Sequence, residues 1–141
     1  MALQIGESMP DFSLPDAEGE PMIVPSALRG RVVLIHFWAD WCPACLKELV
    51  ASKELIQRYR SEGLAILAVN LKQSPQEVAE WIERITPNYP VLFDHDGRAA
   101  AAFGITGLPS SYLIDREGRL QRRLIGEMQT DQLLVVLEKM L

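Results

Sequence analysis

Two cysteines at the junction of an apolar segment and a helical pattern constrain the fold of this chain most. The stretch FWADWCPACLKELV contains both cysteines of the chain, Cys42 and Cys45. Residues 32–38 (VVLIHFW) are rich in β-branched and aromatic side chains, which favours a strand buried on both faces. Residues 43–63 place apolar side chains at helical spacing and end on Gly63. A strand that leads into a helix therefore carries the two sulfurs at its junction.

The segments that follow alternate between strand and helix patterns. A second helix is predicted from Ser74, because Pro75 and Glu77 complete a capping box with it. The other predicted strands are residues 64–70, 90–94, 111–115 and 120–126, and the other predicted helices are residues 97–104 and 130–141, the last one capped by Thr130. This alternation predicts an α/β protein with helices packed on a mixed sheet.

The N-terminal residues follow a different pattern. Residues 11–21 (DFSLPDAEGEP) indicate a small β-hairpin with its turn at Glu18 and Gly19. A single helical turn is predicted over residues 26–30 (SALRG). This hairpin would precede the first central strand.

Composition limits the number of domains and the classes of partner. With 141 residues, 48% of them hydrophobic, the chain has material for one core, so we expect a single domain over residues 1–141. The net charge of -5 is dispersed and there is no basic run, which argues against nucleic acid as a partner. No apolar stretch approaches the ~20 residues of a membrane span, and the start lacks the pattern of a secretory signal. We therefore expect a soluble chain, and these residues alone leave its localisation open.

The spacing of the cysteines gives each sulfur a different environment. The helix can begin no earlier than Pro43, which places Cys42 at the N-cap and Cys45 at the third helical position. An N-cap sulfur faces the free N–H groups and the positive end of the helix dipole, which favours its thiolate. The dipole lowers a thiol pKa of ~8.5 by roughly 0.2 to 1.5. Cys42 is therefore the predicted nucleophile.

The neighbours of Cys42 have predicted roles as well. Cys45, one turn inside the helix, is placed to attack a mixed disulfide formed on Cys42 and is the predicted resolving thiol. Trp41 offers a flat apolar surface to a partner polypeptide, and Pro43 flanks the sulfur on the other side. Asp40 opposes the helix dipole, because a nearby carboxylate raises the cost of a thiolate.

Two other uses of the cysteines fit the sequence less well. A closed zinc site needs four ligands, and the chain adds only His36 and His95 to the two cysteines. Two inert core cysteines at this spacing and in this context are also disfavoured. We therefore predict no metal and no cofactor other than a redox-active disulfide between Cys42 and Cys45.

The motifs in combination resemble a known fold family. FWADWCPAC after an apolar strand, followed downstream by GLPSSYLID, resembles the thioredoxin fold. IGESMPDFSLPDAEGEP followed by LRGRVVLIHFWADWCPACLKEL is similar to the TlpA-like branch, which includes the ResA and CcmG thiol-disulfide oxidoreductases. The resemblance covers nearly the whole chain. It implies a central mixed β-sheet flanked by helices, with an N-terminal β-hairpin extension over residues 1–30 and a thioredoxin core over residues 31–141.

The resemblance also implies site residues. In that family the first cysteine attacks, the second resolves, and a cis-proline loop aligns the substrate backbone. These roles fall on Cys42, Cys45 and Pro109, and Leu108 would offer its backbone to the substrate as an added strand. Taken locally, Pro109 is an ordinary turn proline, because the base rate of cis X-Pro bonds is only ~5%.

Two further residues have open roles. The family often has a glutamate that handles protons where this chain has Glu48, and the alternative is an exposed helix residue that pairs with a lysine. His36 stands where thioredoxins have an aspartate and many TlpA-like proteins an asparagine. It either exchanges protons with Cys45 near neutral pH, given a reference pKa of ~6.5, or is a hydrogen-bonded core residue without a catalytic part.

The resemblance implies a thiol-disulfide oxidoreductase that acts on protein disulfides, as a monomer. The family favours reductants in the periplasm or another extracytoplasmic compartment, with cytochrome c or copper-protein maturation as client class. Electrons would come from a membrane protein of the DsbD or CcdA type. The dipeptide Pro43-Ala44 gives no direction of electron flow.

Two alternative functions share features with this chain. A peroxiredoxin-like peroxidase shares the PDFSL opening, but it would require a threonine three residues before its reactive cysteine, the position at which this chain has Ala39. A Sco-like copper-handling module has three residues between its cysteines and a histidine far downstream, and this chain has no histidine after His95.

Overall fold

A five-stranded mixed sheet organises residues 2–141, the part of the chain that the computed structural model describes. In chain order the strands, including two in an N-terminal hairpin, are β1 Phe12–Pro15, β2 Pro21–Val24, β3 Val32–Trp38, β4 Leu64–Leu71, β5 Val91–Asp94, β6 Ser110–Ile114 and β7 Leu120–Ile125. The helices are α1 Pro43–Tyr59, α2 Pro75–Ile85, α3 Arg98–Phe103 and α4 Thr130–Met140.

The central strand of the sheet is β3, as its apolar sequence predicts. All of its residues are buried, because the strand has a neighbour on each edge and side chains packed on each face. It runs parallel to β4 and antiparallel to β6, within the strand order β5-β4-β3-β6-β7. The predicted central mixed sheet flanked by helices is therefore confirmed.

The two faces of the sheet bury two separate hydrophobic clusters. Alternation along β3 directs Leu34 and Trp38 into one cluster, together with apolar residues of α1, α2 and α4. It directs Val33, Ile35 and Phe37 into the other, together with residues of α3 and the N-terminal hairpin. Cys42 and Cys45 belong to the first cluster, so the dithiol lies on the α1 side of the sheet.

The N-terminal hairpin forms its own two-stranded antiparallel sheet. Phe12 pairs with Val24, and the turn follows from the Asp16 carboxylate, which accepts hydrogen bonds from the Glu18 and Glu20 amides at 2.9 Å. Gly19 takes a left-handed φ of 85°, which favours glycine. The hairpin with its turn at Glu18 and Gly19 is therefore confirmed, and a short 3-10 turn follows at Ser26–Leu28.

The helix ends confirm one capping prediction and correct another. Ser74 and Glu77 form the predicted capping box at the start of α2. The prediction that Thr130 caps the last helix is wrong. The N-cap of α4 is Gln129, whose carbonyl accepts the first helical hydrogen bond, from Leu133 at 3.0 Å, so Thr130 is already the first helical residue. Within residues 2–141, no helix is both long and apolar enough to cross a membrane.

Candidate active site at the start of helix α1

The two cysteines lie at the first turn of α1 and form a disulfide with each other. Cys42 is the N-cap, with an extended backbone at φ -112° and ψ 97°, and Pro43 follows as the first helical residue. The Cys42 Sγ accepts a hydrogen bond from the Cys45 amide at 3.2 Å. The predicted positions, the N-cap for Cys42 and the third helical residue for Cys45, are therefore the observed ones.

Access to the two sulfurs differs. Cys42 is 6% exposed and Cys45 is 1% exposed, whereas Trp41 beside them is 66% exposed. A backbone N–H donated to sulfur favours the thiolate over the thiol, and the helix dipole acts in the same direction. Cys42 is therefore the more exposed of the two cysteines and the one whose anion the helix N-terminus favours.

The loop before β6 lies at the same end of the sheet. Phe37 pairs with Ser110 in the last pair between β3 and β6. Pro109, the residue before Ser110, therefore lies near the end of β3 from which the chain continues to the cysteines. The Leu108–Pro109 peptide bond is cis, as the resemblance implies. The Pro109 carbonyl accepts a hydrogen bond from the Gly126 amide at 2.9 Å, which ties this loop to the end of β7.

Glu48 is buried on α1, one turn beyond Cys45. It is 6% exposed, and its Oε1 accepts a hydrogen bond from the Met128 amide at 2.8 Å. Burial raises the pKa of this carboxyl to about 6, against the smaller lowering by the Met128 amide, and Glu127 adds to the rise. The alternative of an exposed residue paired with a lysine is therefore wrong, because the carboxylate is enclosed and its partner is a backbone amide.

His36 lies in β3 within a buried polar cluster. Its Nδ1 is 2.7 Å from Ser111 Oγ and 3.8 Å from Glu48 Oε2, and its Nε2 is 2.7 Å from Ser52 Oγ. Complete burial lowers the pKa of the imidazole to about 4, so the ring is neutral at pH 7 and the contact with Glu48 is not an ion pair. His36 thus titrates well below the reference pKa of 6.5. Its part in catalysis stays a prediction.

Sequence reasoning missed three residues of this region. Ser52 and Ser111 hold the His36 ring from positions 16 and 75 residues away, and Gln73 hydrogen-bonds Asp40 across 33 residues. Their only local signals are weak: Ser111 stands inside the GLPSSYLID motif, and Gln73 directly precedes the Ser74 N-cap. The His36–Ser111 pairing follows from the register of β3 and β6, and the other two follow from the packing of α1 and of the β4–α2 loop, so none has a spacing rule along the chain.

Metal ligands do not gather at this site. Of the residues that the structure describes, no group of three or more histidine, cysteine, aspartate or glutamate side chains is placed to hold a metal ion. The chemistry on offer is that of the sulfur pair, a neighbouring carboxyl that titrates near neutral pH, and an exposed tryptophan. These groups suit thiol-disulfide exchange.

Comparison with known proteins agrees with this geometry. Residues 5–123 match the AhpC/TSA family. The chain belongs to the AhpC/TSA family. The thiol-disulfide oxidoreductase ResA of Bacillus thuringiensis strain Al Hakam is 31% identical to it over 137 residues, which cover 97% of this chain and 79% of that protein.

Solved structures extend the comparison. A Chlorobium tepidum protein described as a thiol:disulfide interchange protein DsbE superposes on this AhpC/TSA-family chain with a TM-score of 0.87 at 28% identity, covering 98% of this chain and 96% of that one. The thioredoxin domain of a Bacteroides vulgatus thiol-disulfide oxidoreductase has the same fold, with a TM-score of 0.84 at 23% identity and coverage of 98% of each chain. The chain is therefore a thiol-disulfide oxidoreductase with the thioredoxin fold, as the resemblance predicted.

The burial of His36 predicts an acid-sensitive contribution to the stability of this AhpC/TSA-family chain. The folded-state pKa of about 4 lies below the reference 6.5, so the contribution is present above pH 6.5 and is lost as the pH falls toward 4. Between pH 7 and pH 4.5, the parent should lose about 2 kcal/mol of unfolding free energy relative to His36→Asn. Urea unfolding of both proteins at the two pH values measures this difference, and equal losses would contradict the assignment.

Proposed function

We propose that this chain reduces disulfides of protein substrates, with Cys42 as the attacking thiol and Cys45 as the resolving thiol. The observation that carries the proposal is the position of Cys42 at the N-cap of α1, where its Sγ accepts the Cys45 amide hydrogen bond at 3.2 Å. This position lowers the cost of a Cys42 thiolate, which is the reactive species in disulfide exchange. The deeper burial of Cys45 supports its later part in the reaction.

The reaction transfers two electrons to the substrate, and each step breaks one sulfur–sulfur bond and forms one. In the reduced protein, the Cys42 thiolate attacks one sulfur of the substrate disulfide and the other leaves as a thiolate, which gives a mixed disulfide. Cys45 then loses its proton and attacks Cys42 Sγ, which releases the second substrate sulfur and forms the Cys42–Cys45 disulfide. The substrate has gained two electrons and the protein has lost them.

Glu48 is the proposed acceptor of the Cys45 proton. The two residues are three positions apart on α1, which places their side chains on the same face of the helix. A carboxyl whose pKa is about 6 is ionised at pH 7 and yet basic enough to share a proton with a thiol. The His36 ring lies 3.8 Å from Glu48 Oε2 and adds no charge at pH 7, because the imidazole is neutral there.

Substrate binding is proposed to use three neighbours of the dithiol. Leu108 would pair its backbone with an extended substrate segment, Pro109 would align that segment against Cys42, and the exposed face of Trp41 would cover its apolar side chains. The exposure of Trp41 and the position of the cis-proline loop at the end of β3 support this arrangement. Pro43 completes the surface on the helix side.

The compartment and the partners are proposed from the TlpA-like resemblance, and the similarity to ResA and DsbE proteins supports them. We place the chain in the periplasm or another extracytoplasmic compartment, where it acts as a monomer. Its clients would be proteins in cytochrome c or copper-protein maturation, whose cysteines must be reduced before they bind the cofactor. A membrane protein of the DsbD or CcdA type would return the electrons, and no cofactor beyond the disulfide is required.

The reduction potential of the Cys42–Cys45 couple tests the proposed function. We expect a reduction potential close to that of thioredoxin, which is about -270 mV, together with reduction of insulin disulfides. A potential close to that of DsbA, which is about -120 mV, would show that electrons flow in the opposite direction. A pair that does not interconvert in any thiol buffer would remove the function. Peroxide consumption or tight copper binding by the reduced protein would favour the peroxidase or the copper-handling alternative instead.

A further inference from the structure

The side chain of Gln73 hydrogen-bonds to both the backbone amide and the carboxylate of Asp40, which stands two positions before Cys42. Its Oε1 accepts a hydrogen bond from the Asp40 amide at 3.0 Å, and its Nε2 donates one to Asp40 Oδ1 at 2.8 Å. The two bonds fix the Asp40 backbone and its carboxylate at once. We call this pair of contacts the Gln73–Asp40 clamp.

Gln73 is itself held from behind by Asn70, at the end of β4. The Gln73 amide donates to Asn70 Oδ1 at 3.0 Å, and Asn70 Nδ2 donates to Gln73 Oε1 at 3.2 Å. Asn70 is fully buried and pairs in register with Trp38 at the end of β3. Each donor nitrogen in this set therefore makes one hydrogen bond, and the orientation of the Gln73 amide follows from its partners. The clamp is therefore connected to a buried residue near the end of β4.

The clamp acts on the turn that carries the nucleophile. The Cys42 amide donates to the Ala39 carbonyl at 3.2 Å, which closes a tight turn around Asp40 and Trp41. A carboxylate in this turn disfavours a nearby thiolate. The hydrogen bond that Gln73 donates to the Asp40 carboxylate stabilises its negative charge and holds it on the side of the β4–α2 loop. This offsets part of the cost of a Cys42 thiolate.

We propose that Gln73 is a positioning residue that holds the Asp40 carboxylate on the β4–α2 loop and so eases ionisation of Cys42. The inference deepens the proposed function, since it rests on Cys42 being the attacking thiol. Sequence reasoning identified Asp40 as a residue that works against the thiolate, and the structure adds the side chain that moderates it.

Other charged groups lie on the elements around this turn. Glu48 on α1 is bound by the Met128 amide and Glu127 lies close enough to raise its pKa. Lys72 precedes Gln73, and its side chain extends against Gly97 at the start of α3. Lys47 lies on α1, beyond the first turn. The pair of Asp40 and Gln73 is the one that bears directly on the turn before Cys42.

A double-mutant cycle on the reduced protein tests the inference. Gln73→Leu removes both hydrogen bonds with little change in size, and we expect Cys42 to react with iodoacetamide about threefold more slowly on the acid side of its pH profile. Asp40→Asn removes the charge but keeps an oxygen for Gln73, and the rate should rise about threefold. In the Asp40→Asn background, Gln73→Leu should change the rate by less than about 1.5-fold, because no charge is left to hold.

The outcomes separate this inference from the proposed function. If Gln73→Leu slows alkylation equally in both backgrounds, the role of Gln73 is only structural and the inference is overturned. If Cys45 reacts faster than Cys42 in the parent, both the inference and the proposed function fail. Should Gln73→Leu not fold, Gln73→Glu replaces it, since its Oε1 still accepts from Asp40. The added carboxylate should slow alkylation more than threefold, and an unchanged rate would overturn the inference.

Discussion

Replacing Cys42 with serine is expected to lower the rate of insulin-disulfide reduction by more than about a thousandfold, because a hydroxyl does not attack sulfur at neutral pH. Serine is also a favoured N-cap residue, so the start of α1 should be retained. The loss would therefore report on the sulfur rather than on the helix. Steady-state reduction of insulin, with the reduced parent as reference, measures it.

Cys45→Ser is the matched control for this variant. It leaves Cys42 free to attack but removes the thiol that resolves the mixed disulfide, so a covalent adduct with the substrate should accumulate. Mass spectrometry of the acid-quenched reaction detects that adduct. If Cys42→Ser captured the substrate and Cys45→Ser did not, the roles of the two sulfurs would be exchanged.

Replacing Glu48 with glutamine should slow the resolving step about 100-fold at pH 7, near the lower end of what a positioned proton acceptor contributes. Proton acceptance needs the carboxylate, which is present above the pKa of about 6 and disappears as the pH falls through it. The parent rate should therefore drop between pH 7 and pH 5, and the variant rate should lose that inflection. Rapid quenching that separates mixed disulfide from product measures the step.

The Glu48→Gln variant retains the local contacts. Glutamine has the same shape, and its Oε1 still accepts the Met128 amide hydrogen bond. Glu54, which is exposed on the same helix, supplies the control: Glu54→Gln changes the net charge equally and should leave the profile as it is in the parent. A Glu48→Gln profile identical to that of the parent would show that another group takes the Cys45 proton.

The comparison of sequence and structure separates two kinds of prediction. The buried strand β3, the start of α1 at Pro43 and the capping box at Ser74 all depend on residues within a few positions of each other, and all three were predicted. The N-cap of α4 was not, because it depends on where the chain leaves β7, in a segment whose Met128 amide donates to Glu48, 80 residues away. A local pattern contains no information on such a partner.

The sequence alone determined which sulfur is at the helix terminus. Helical spacing and the ring of Pro43 fix Cys42 at the N-cap and Cys45 one turn inside, whatever packs around them. Only the tertiary structure decided the surroundings of the polar groups beside that pair. The Glu48 carboxyl is buried, two serines hold the His36 ring, and Gln73 reaches Asp40 from the β4–α2 loop. Each of these environments depends on burial and on partners far along the chain, because the cost of a charge is set by the solvent and the dipoles that surround it in space.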